Sequence, residues 1–350
     1  MKEINKTLNK IKQPDILKEK AAQRRLDILT KPKDSLGLLE NIARRIVGIT
    51  GKELPQISNK VIFTMAGDHG VTEEGVSAFP KEVTVQMVNN FINEGAAINV
   101  LAGHIGAKVI IVDMGVDGNF DRKDLVDLKI NYGTKNMTKE SAMTKKEAIK
   151  SIEAGIHVFK QEIISGIDIV GIGEMGIGNT TSSSAIVAAL MERNIEEVVD
   201  RGTGINDKLL KNKISSIKKA IELNKPDRSD PIDVLSKLGG FEIGGMAGII
   251  IAAASEMIPV VLDGFISGAA ALIAYSLEPK VKDYIFASHC SVEKGHRVTL
   301  DYMGLKPLFD LELRLGEGTG AAIGINIIEA AVKIFSCMAT FEEASVSKKD

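Results

Sequence analysis

Apolar positions along this 350-residue chain follow two rhythms. Over the first fifty residues they recur at helical spacing. Ile16 to Leu29 forms one such stretch, Pro32 breaks it, and Leu36, Leu39, Ile42, Ala43, Ile46 and Val47 follow three and four residues apart, on one helix face. Asp34 or Ser35 is placed to cap the second helix. No strand precedes these helices, so they are expected to pack apart from any sheet. With a C-terminal helix over Ala321 to Met338 they would form a small helical subdomain built from both chain ends.

From Lys60 onward the rhythm changes to short, continuous apolar runs, each ending in a polar or glycine-rich turn before a helical pattern resumes. The runs are Val61 to Ala66, Val109 to Met114, Ile167 to Ile172, Val260 to Leu262 and Tyr284 to Ala287. Buried strands joined by crossover helices predict an α/β fold: a doubly wound, mostly parallel, Rossmann-like sheet, with ligands beyond the carboxyl ends of its strands. The turns Gly67 to Gly70, Gly115 to Gly118, Glu174 to Gly178, Asp263-Gly264 and Ser288 to Ser291 would then line one rim. This divides the chain into N-terminal helices (1–58), an α/β catalytic domain (59–320) and a C-terminal helix and tail (321–350). The polar stretch Asp117 to Lys146 reads as a surface excursion, and Phe341 to Asp350 as a fraying tail. The most apolar stretch, Gly244 to Ser255, meets Glu256 and Pro259 well short of the roughly 20 residues that span a bilayer, so it predicts a buried helix and no membrane span.

The segment IVGIGEMGIGNTTSSS, Ile169 to Ser184, runs from strand through glycine turn to helix. Glycines let a ligand approach the backbone, and Asn179, Thr180 and Thr181 at the helix start leave N–H groups aimed at an anion, which points to a phosphate. Glu174 does not belong in a plain phosphate cradle. Its carboxylate would repel the guest, so proton handling or the stabilisation of a developing cation suits it better. A second glycine-rich element, RLGEGTGAA from Arg314 to Ala322, again holds a carboxylate between glycines, Glu317. Alone it is equally an exposed turn glutamate; two such glutamates together point to chemistry, since a carboxylate closed over by substrate and backbone is desolvated toward general-base range. Arg201-Gly202-Thr203-Gly204, with Lys213 after it, can complete a phosphate site, or be a helix-linking turn and a solvated lysine.

Composition excludes several classes. A net charge of -2, 4% aromatic residues and no tryptophan offer little to nucleic acid. Two cysteines, Cys290 and Cys337, without a CxxC pair, indicate neither a disulfide framework nor a structural zinc, and the charged N-terminus lacks the apolar core of a signal peptide; both favour the cytoplasm. Among the five histidines, His289 and His296 lie near Cys290 and Glu293 but lack a standard zinc spacing, so no metal is expected. His69 beside Asp68 fits either a functional or a hydrogen-bonded structural role. Gly171, Gly173 and Gly176 satisfy GxGxxG, leaving an NAD-type oxidoreductase as an alternative, although Glu192 and Glu196 fall in or just after a helix and not at the end of a second strand. A nucleotide-binding regulatory module without catalysis is a further alternative.

The motifs TKPKDSLGLLE, AGDHGVTEEGVSAFPKEVTVQM, GIGEMGIGNTTSSSA, RGTGI, VLDGFISGAAAL and RLGEGTGAA occur in that order over nearly the whole chain. In this the sequence resembles the nicotinate-nucleotide:dimethylbenzimidazole phosphoribosyltransferase family, often called CobT. Asp34 stands where the family usually has a glycine. The resemblance implies transfer of phosphoribose from nicotinate mononucleotide to a benzimidazole, with inversion at the anomeric carbon and no cofactor. It implies Glu317 as general base and lets Glu174 stabilise the ribosyl cation or hold ribose hydroxyls. Gly176, Gly178, Asn179, Thr180, Thr181, Gly202, Gly204 and Lys213 would hold the 5'-phosphate, Ser291 and Arg314 the nicotinate carboxylate, and Ser77 and Gln86 the benzimidazole. It also implies a homodimer whose partner subunit helps to close the site.

Overall fold

The computed structural model describes residues 1–202 and 204–347. Seven strands form one sheet: β1 (Lys60–Gly67), β2 (Lys108–Gly115), β3 (Leu125–Asp127), β4 (Ile169–Met175), β5 (Val260–Leu262), β6 (Ile285–His289) and β7 (Pro307–Phe309). Their order is β3-β2-β1-β4-β5-β6-β7, and every neighbouring pair is parallel. The chain winds outward from β1 to β3, returns to lay β4 beside β1, and winds away on the other side. The reversal between β1 and β4 is where such a sheet opens a crevice for a ligand.

The helices are α1 (Lys2–Leu8), α2 (Ile16–Leu26), α3 (Leu38–Thr50), α4 (Glu82–Ile92), α5 (Ala97–Ile105), α6 (Lys145–Glu162), α7 (Asn179–Met191), α8 (Ile195–Val198), α9 (Asp207–Asn224), α10 (Pro231–Leu238), α11 (Phe241–Ser255), α12 (Phe265–Leu277), α13 (Lys294–Met303) and α14 (Thr319–Cys337). They cover both faces of the sheet, and β1 shows how. Successive side chains of a strand point to opposite faces. Ile62 and Thr64 face the start of α14, and Thr64 Oγ1 donates a hydrogen bond at 2.9 Å to the carbonyl of Glu317, two residues ahead of that helix. Met65 faces α11, where a Cβ on Gly245 would lie 2.7 Å from its sulfur. The residues of α11 from Phe241 to Ala254 are buried, and α6 crosses so closely that a Cβ on Gly155 would sit 1.9 Å from the Gly245 carbonyl oxygen.

A separate small core joins Ala22, Leu26 and Leu29 to Ala43 and Val47 of α3 and Phe335 of α14. The two chain ends therefore do pack together. However, α14 also lies on β4, β5 and β6, so it belongs to the sheet layer as well. It is long and apolar enough by composition to cross a membrane, yet half of that apolar stretch is buried inside the protein.

Several local details depart from the sequence expectations. Neither Asp34 nor Ser35 caps α3: its N-cap is Gly37, with no side-chain cap. Asp34 instead adopts a left-handed conformation, φ 59°, in a turn where Gly37 N–H donates to its carbonyl at 3.0 Å. A glycine takes that conformation more easily. The polar stretch Asp117 to Lys146 contains β3, and the apolar runs of the sequence do not mark β7 either. Both are three-residue edge strands, too short to show a period. The tail is not frayed where it is described, since Phe341 N–H donates to Ile28 O and Val346 N–H to Phe341 O, each at 3.0 Å. Residues 348–350 and Thr203 lie outside the described residues.

Candidate active site

The carboxyl end of β4 carries Glu174, paired in the sheet with Met65 of β1. Its side chain is 6% exposed, and Asn179, the first residue of α7, donates its side-chain N–H to Oε2. Burial, reinforced by the nearby carboxylates of Asp263 and Glu242, pushes the Glu174 carboxyl well above the usual range; the Asn179 bond opposes this only in part. Burial thus disfavours the charge on the Glu174 carboxylate, and a positive charge arriving beside it would favour that charge.

Glu317 stands at the end of the other glycine-rich loop. Gly316, Glu317 and Gly318 all have positive φ, at 89°, 65° and 102°. This strained turn is held from several sides. Glu317 N–H donates to the Glu174 carbonyl at 3.1 Å, and Ile98 N–H donates to the Glu317 carboxylate at 3.3 Å. Behind it, Asp263 at the end of β5 accepts from Gly318 N–H at 2.9 Å and Gly320 N–H at 2.7 Å, capping α14. Complete burial still pushes Asp263 up to about 7 against these bonds. Burial also raises Glu317 above the ordinary carboxylate range, opposed by the Ile98 amide. Two buried acids with raised proton affinities at one strand switch point form the arrangement expected of acid–base chemistry.

Beside Glu174 opens a cavity of about 100 Å³ lined by Gly176, Asn179, Thr180, Gly202, His289, Ser291, Glu293 and Arg314, among others. The start of α7 faces it, with the amide-rich end that suits an anion. Lys213 is buried behind Thr180, donating to Thr180 Oγ1 at 2.9 Å and to the Asp200 carbonyl at 3.2 Å. Burial lowers its ammonium to about 8. The solvated reading of this lysine is thereby overturned.

The sequence-derived residues divide as follows. Glu174, Gly176, Asn179, Thr180, Gly202, Ser291 and Arg314 converge on the one cavity, with Lys213 behind it. Gly178 caps α7, and Thr181 is buried with its hydroxyl unpartnered. Gly204 is an exposed turn residue with φ 102°. Ser77 and Gln86 are not brought to this cavity: they line separate hollows near Asp68, Lys81 and Asp117. Helix α4 is tied to the site elsewhere, since Ile177 N–H donates to Thr84 Oγ1 at 3.1 Å.

Other residues at the rim escaped sequence reasoning. The sequence marks Asp263 only as part of a rim turn; a carboxylate directly after a buried strand is the available signal. His69 proves to be a buried link, with Nδ1 2.9 Å from Ser182 Oγ and Nε2 2.7 Å from Glu242 Oε1. Nothing local in sequence joins those three residues. His289 and His296 are both lowered by burial, His296 to about 3. Among the described residues no three His, Cys, Asp or Glu side chains converge as metal ligands.

The phosphoribosyltransferase family profile matches residues 11–346. A nicotinate-nucleotide–dimethylbenzimidazole phosphoribosyltransferase of Desulforamulus reducens is 55% identical over 347 residues, 99% of either chain. Its counterpart in Geobacter metallireducens is 55% identical over 346 residues, covering 99% of this chain and 98% of its own. The crystal structure of the enzyme of that name from Thermus thermophilus shares the fold with a TM-score of 0.91 and 39% identity, covering 96% of this chain and 100% of that one.

Proposed function

Since the chain belongs to the nicotinate-nucleotide–dimethylbenzimidazole phosphoribosyltransferase family, and is thus a pentosyltransferase, we propose that it moves phosphoribose from nicotinate mononucleotide to 5,6-dimethylbenzimidazole or a related base. The products are nicotinate and an α-ribazole 5'-phosphate, the nucleotide portion of the cobalamin lower ligand. The observation that carries this reading is the placement of a buried carboxylate, Glu174, between an anion-binding helix start and a second raised carboxylate, Glu317.

In this mechanism the 5'-phosphate lies against Gly176 to Thr181, Gly202 and Lys213. The nicotinate carboxylate meets Ser291 and Arg314. The pyridinium is already a good leaving group, so departure of nicotinate needs little protonation, and C1' passes through an oxocarbenium-like state. Glu174, in a cluster with Asp263, Glu242 and Glu317, supplies negative potential as that cation develops. The azole attacks from the opposite face, inverting β to α, and Glu317 takes the ring proton it loses. Ser77 and Gln86 are assigned to the base, which requires the segment from Ser77 to Gln86 to close toward the rim.

A second copy of the chain is assigned to cover the rim, where Phe79, Leu311 and Leu315 stand 51%, 56% and 57% exposed. The reaction is assigned to the cytoplasm, consistent with the free Cys290 and Cys337.

The test is incubation with nicotinate mononucleotide and 5,6-dimethylbenzimidazole after chelator treatment, with mass spectrometry of the products. Nicotinate and an α-ribazole phosphate in equal amounts are expected. Absence of product with any azole acceptor overturns the reading. Sedimentation velocity tests the dimer, and a monomer at assay concentration would remove the partner from the site.

A further inference from the structure

The anion cradle already contains an acid of its own. Glu293, the N-cap of α13, is 6% exposed and lines the same cavity as Thr180, Gly202, Ser291 and Arg314. Its Oε2 is buried and, among the described residues, has no hydrogen-bond partner. A buried carboxylate oxygen left unpaired is costly, and in a native site it asks for a ligand atom.

The charges facing Glu293 come from several elements. Lys213 on α9 and Arg314 in the loop after β7 are cationic, whereas Asp200, two residues after α8, is acidic. Glu174 at the end of β4 and His289 at the end of β6 line the same cavity. The Gly202 amide also holds the charged form of Glu293, while burial favours the neutral one and raises its carboxyl. Two cations, Lys213 and Arg314, thus stand against Glu293 and Asp200, with the buried Glu174 beside them, before any substrate arrives. A phosphate monoester adds close to two further negative charges at neutral pH. In a buried site the repulsion between that phosphate and an ionised Glu293 is poorly screened.

We propose that Glu293 is a substrate-binding residue that takes up one proton from solvent as the phosphate ester enters, its carboxylic O–H then donating a hydrogen bond to a phosphate oxygen. This rests on the phosphate position assigned above. The proton comes from water or buffer and ends on Glu293 Oε2; no other bond is made or broken. Binding of the phosphorylated substrate is therefore linked to pH, with a dissociation constant that rises about tenfold per pH unit wherever a full proton is taken up.

The experiment is isothermal titration calorimetry of the full chain with nicotinate mononucleotide at pH 7, in two buffers of different ionisation enthalpy, repeated with nicotinate riboside, which lacks the phosphate. Close to one proton is expected for the nucleotide and none for the riboside. Glu293→Gln, whose amide N–H donates in place of the acid, should keep the nucleotide affinity within about threefold while proton uptake disappears; Glu293→Ala should weaken it about tenfold. Uptake that persists in Glu293→Gln would place the proton on Lys213 or the phosphate and overturn the proposal. So would uptake abolished by Glu174→Gln alone, or equal uptake with the riboside. If the wild type binds the riboside but gains nothing from the phosphate, the phosphate assignment itself fails. If it binds neither, the functional reading fails.

Discussion

In GIGEMG and in RLGEGTG a glutamate stands between glycines just ahead of a helix, yet Glu174 and Glu317 are held by different physics. Glu174 is extended, its backbone fixed by the β4 ladder, so only its side chain is left to face the cavity. Glu317 is left-handed, with φ 65°, and its position depends on Thr64, Ile98, the Glu174 carbonyl and the Asp263 clamp behind the loop. The glycines around each acid make room for the other. A Cβ on Gly173 would lie 2.3 Å from the Glu317 carbonyl oxygen, and one on Gly316 would lie 2.4 Å from Glu174 Oε1. Glycines flanking a carboxylate in sequence can thus serve the geometry of a different carboxylate in space.

Substitutions that separate the two acids test this contrast. Glu317→Gln should give the largest effect, a fall in kcat of about 10²- to 10⁴-fold with nicotinate mononucleotide binding little changed, because only proton removal is lost. Steady-state kinetics beside calorimetric binding would check it; a loss confined to binding would mean that Glu317 is not the base. Glu174→Gln should lower kcat by about 10- to 100-fold through lost stabilisation of the ribosyl cation. Unchanged turnover would remove Glu174 from the mechanism and leave Glu317 as the working acid of the pair.

Gly316→Ala attacks both residues at once. It places a side chain at φ 89° and against the Glu174 carboxylate, and it should cost about 1 to 2 kcal/mol of stability together with activity. A thermal melt reads the first and the product assay the second; full activity would show that the loop tolerates displacement. The smallest expected effect is a split pH profile. Glu317, raised by burial, makes kcat fall on the acid side at a higher pH than an ordinary carboxylate would. Lys213 loses its proton as pH rises through about 8, so the KM for nicotinate mononucleotide should climb there more steeply than the Glu293 linkage alone requires, while kcat holds. Coincident changes in both constants would merge the two sites into one.

Periodicity made much of the framework legible. Four of the five anticipated strands appear with ends displaced by one to three residues, and β5 coincides with Val260 to Leu262. The rim turns, the helix start at Asn179 and the packing of both chain ends were legible too. The edge strands β3 and β7 were not, because three residues beside a loop carry no measurable alternation. The cap of α3 was misplaced because Asp34 enters a turn of its own.

What the sequence determined by itself was which segments become strand or helix and where glycines and carboxylates cluster, since burial of a face and backbone freedom are set by a residue and its near neighbours. Only the tertiary structure decided that Asp263 clamps the Glu317 loop, that Ser182, His69 and Glu242 form one buried chain, and that Glu293 lines the cavity beside Glu174. Those relations join strand ends to helices from distant parts of the chain, and the proton affinities of these acids depend on burial and on neighbours distant in the chain, which no local pattern encodes.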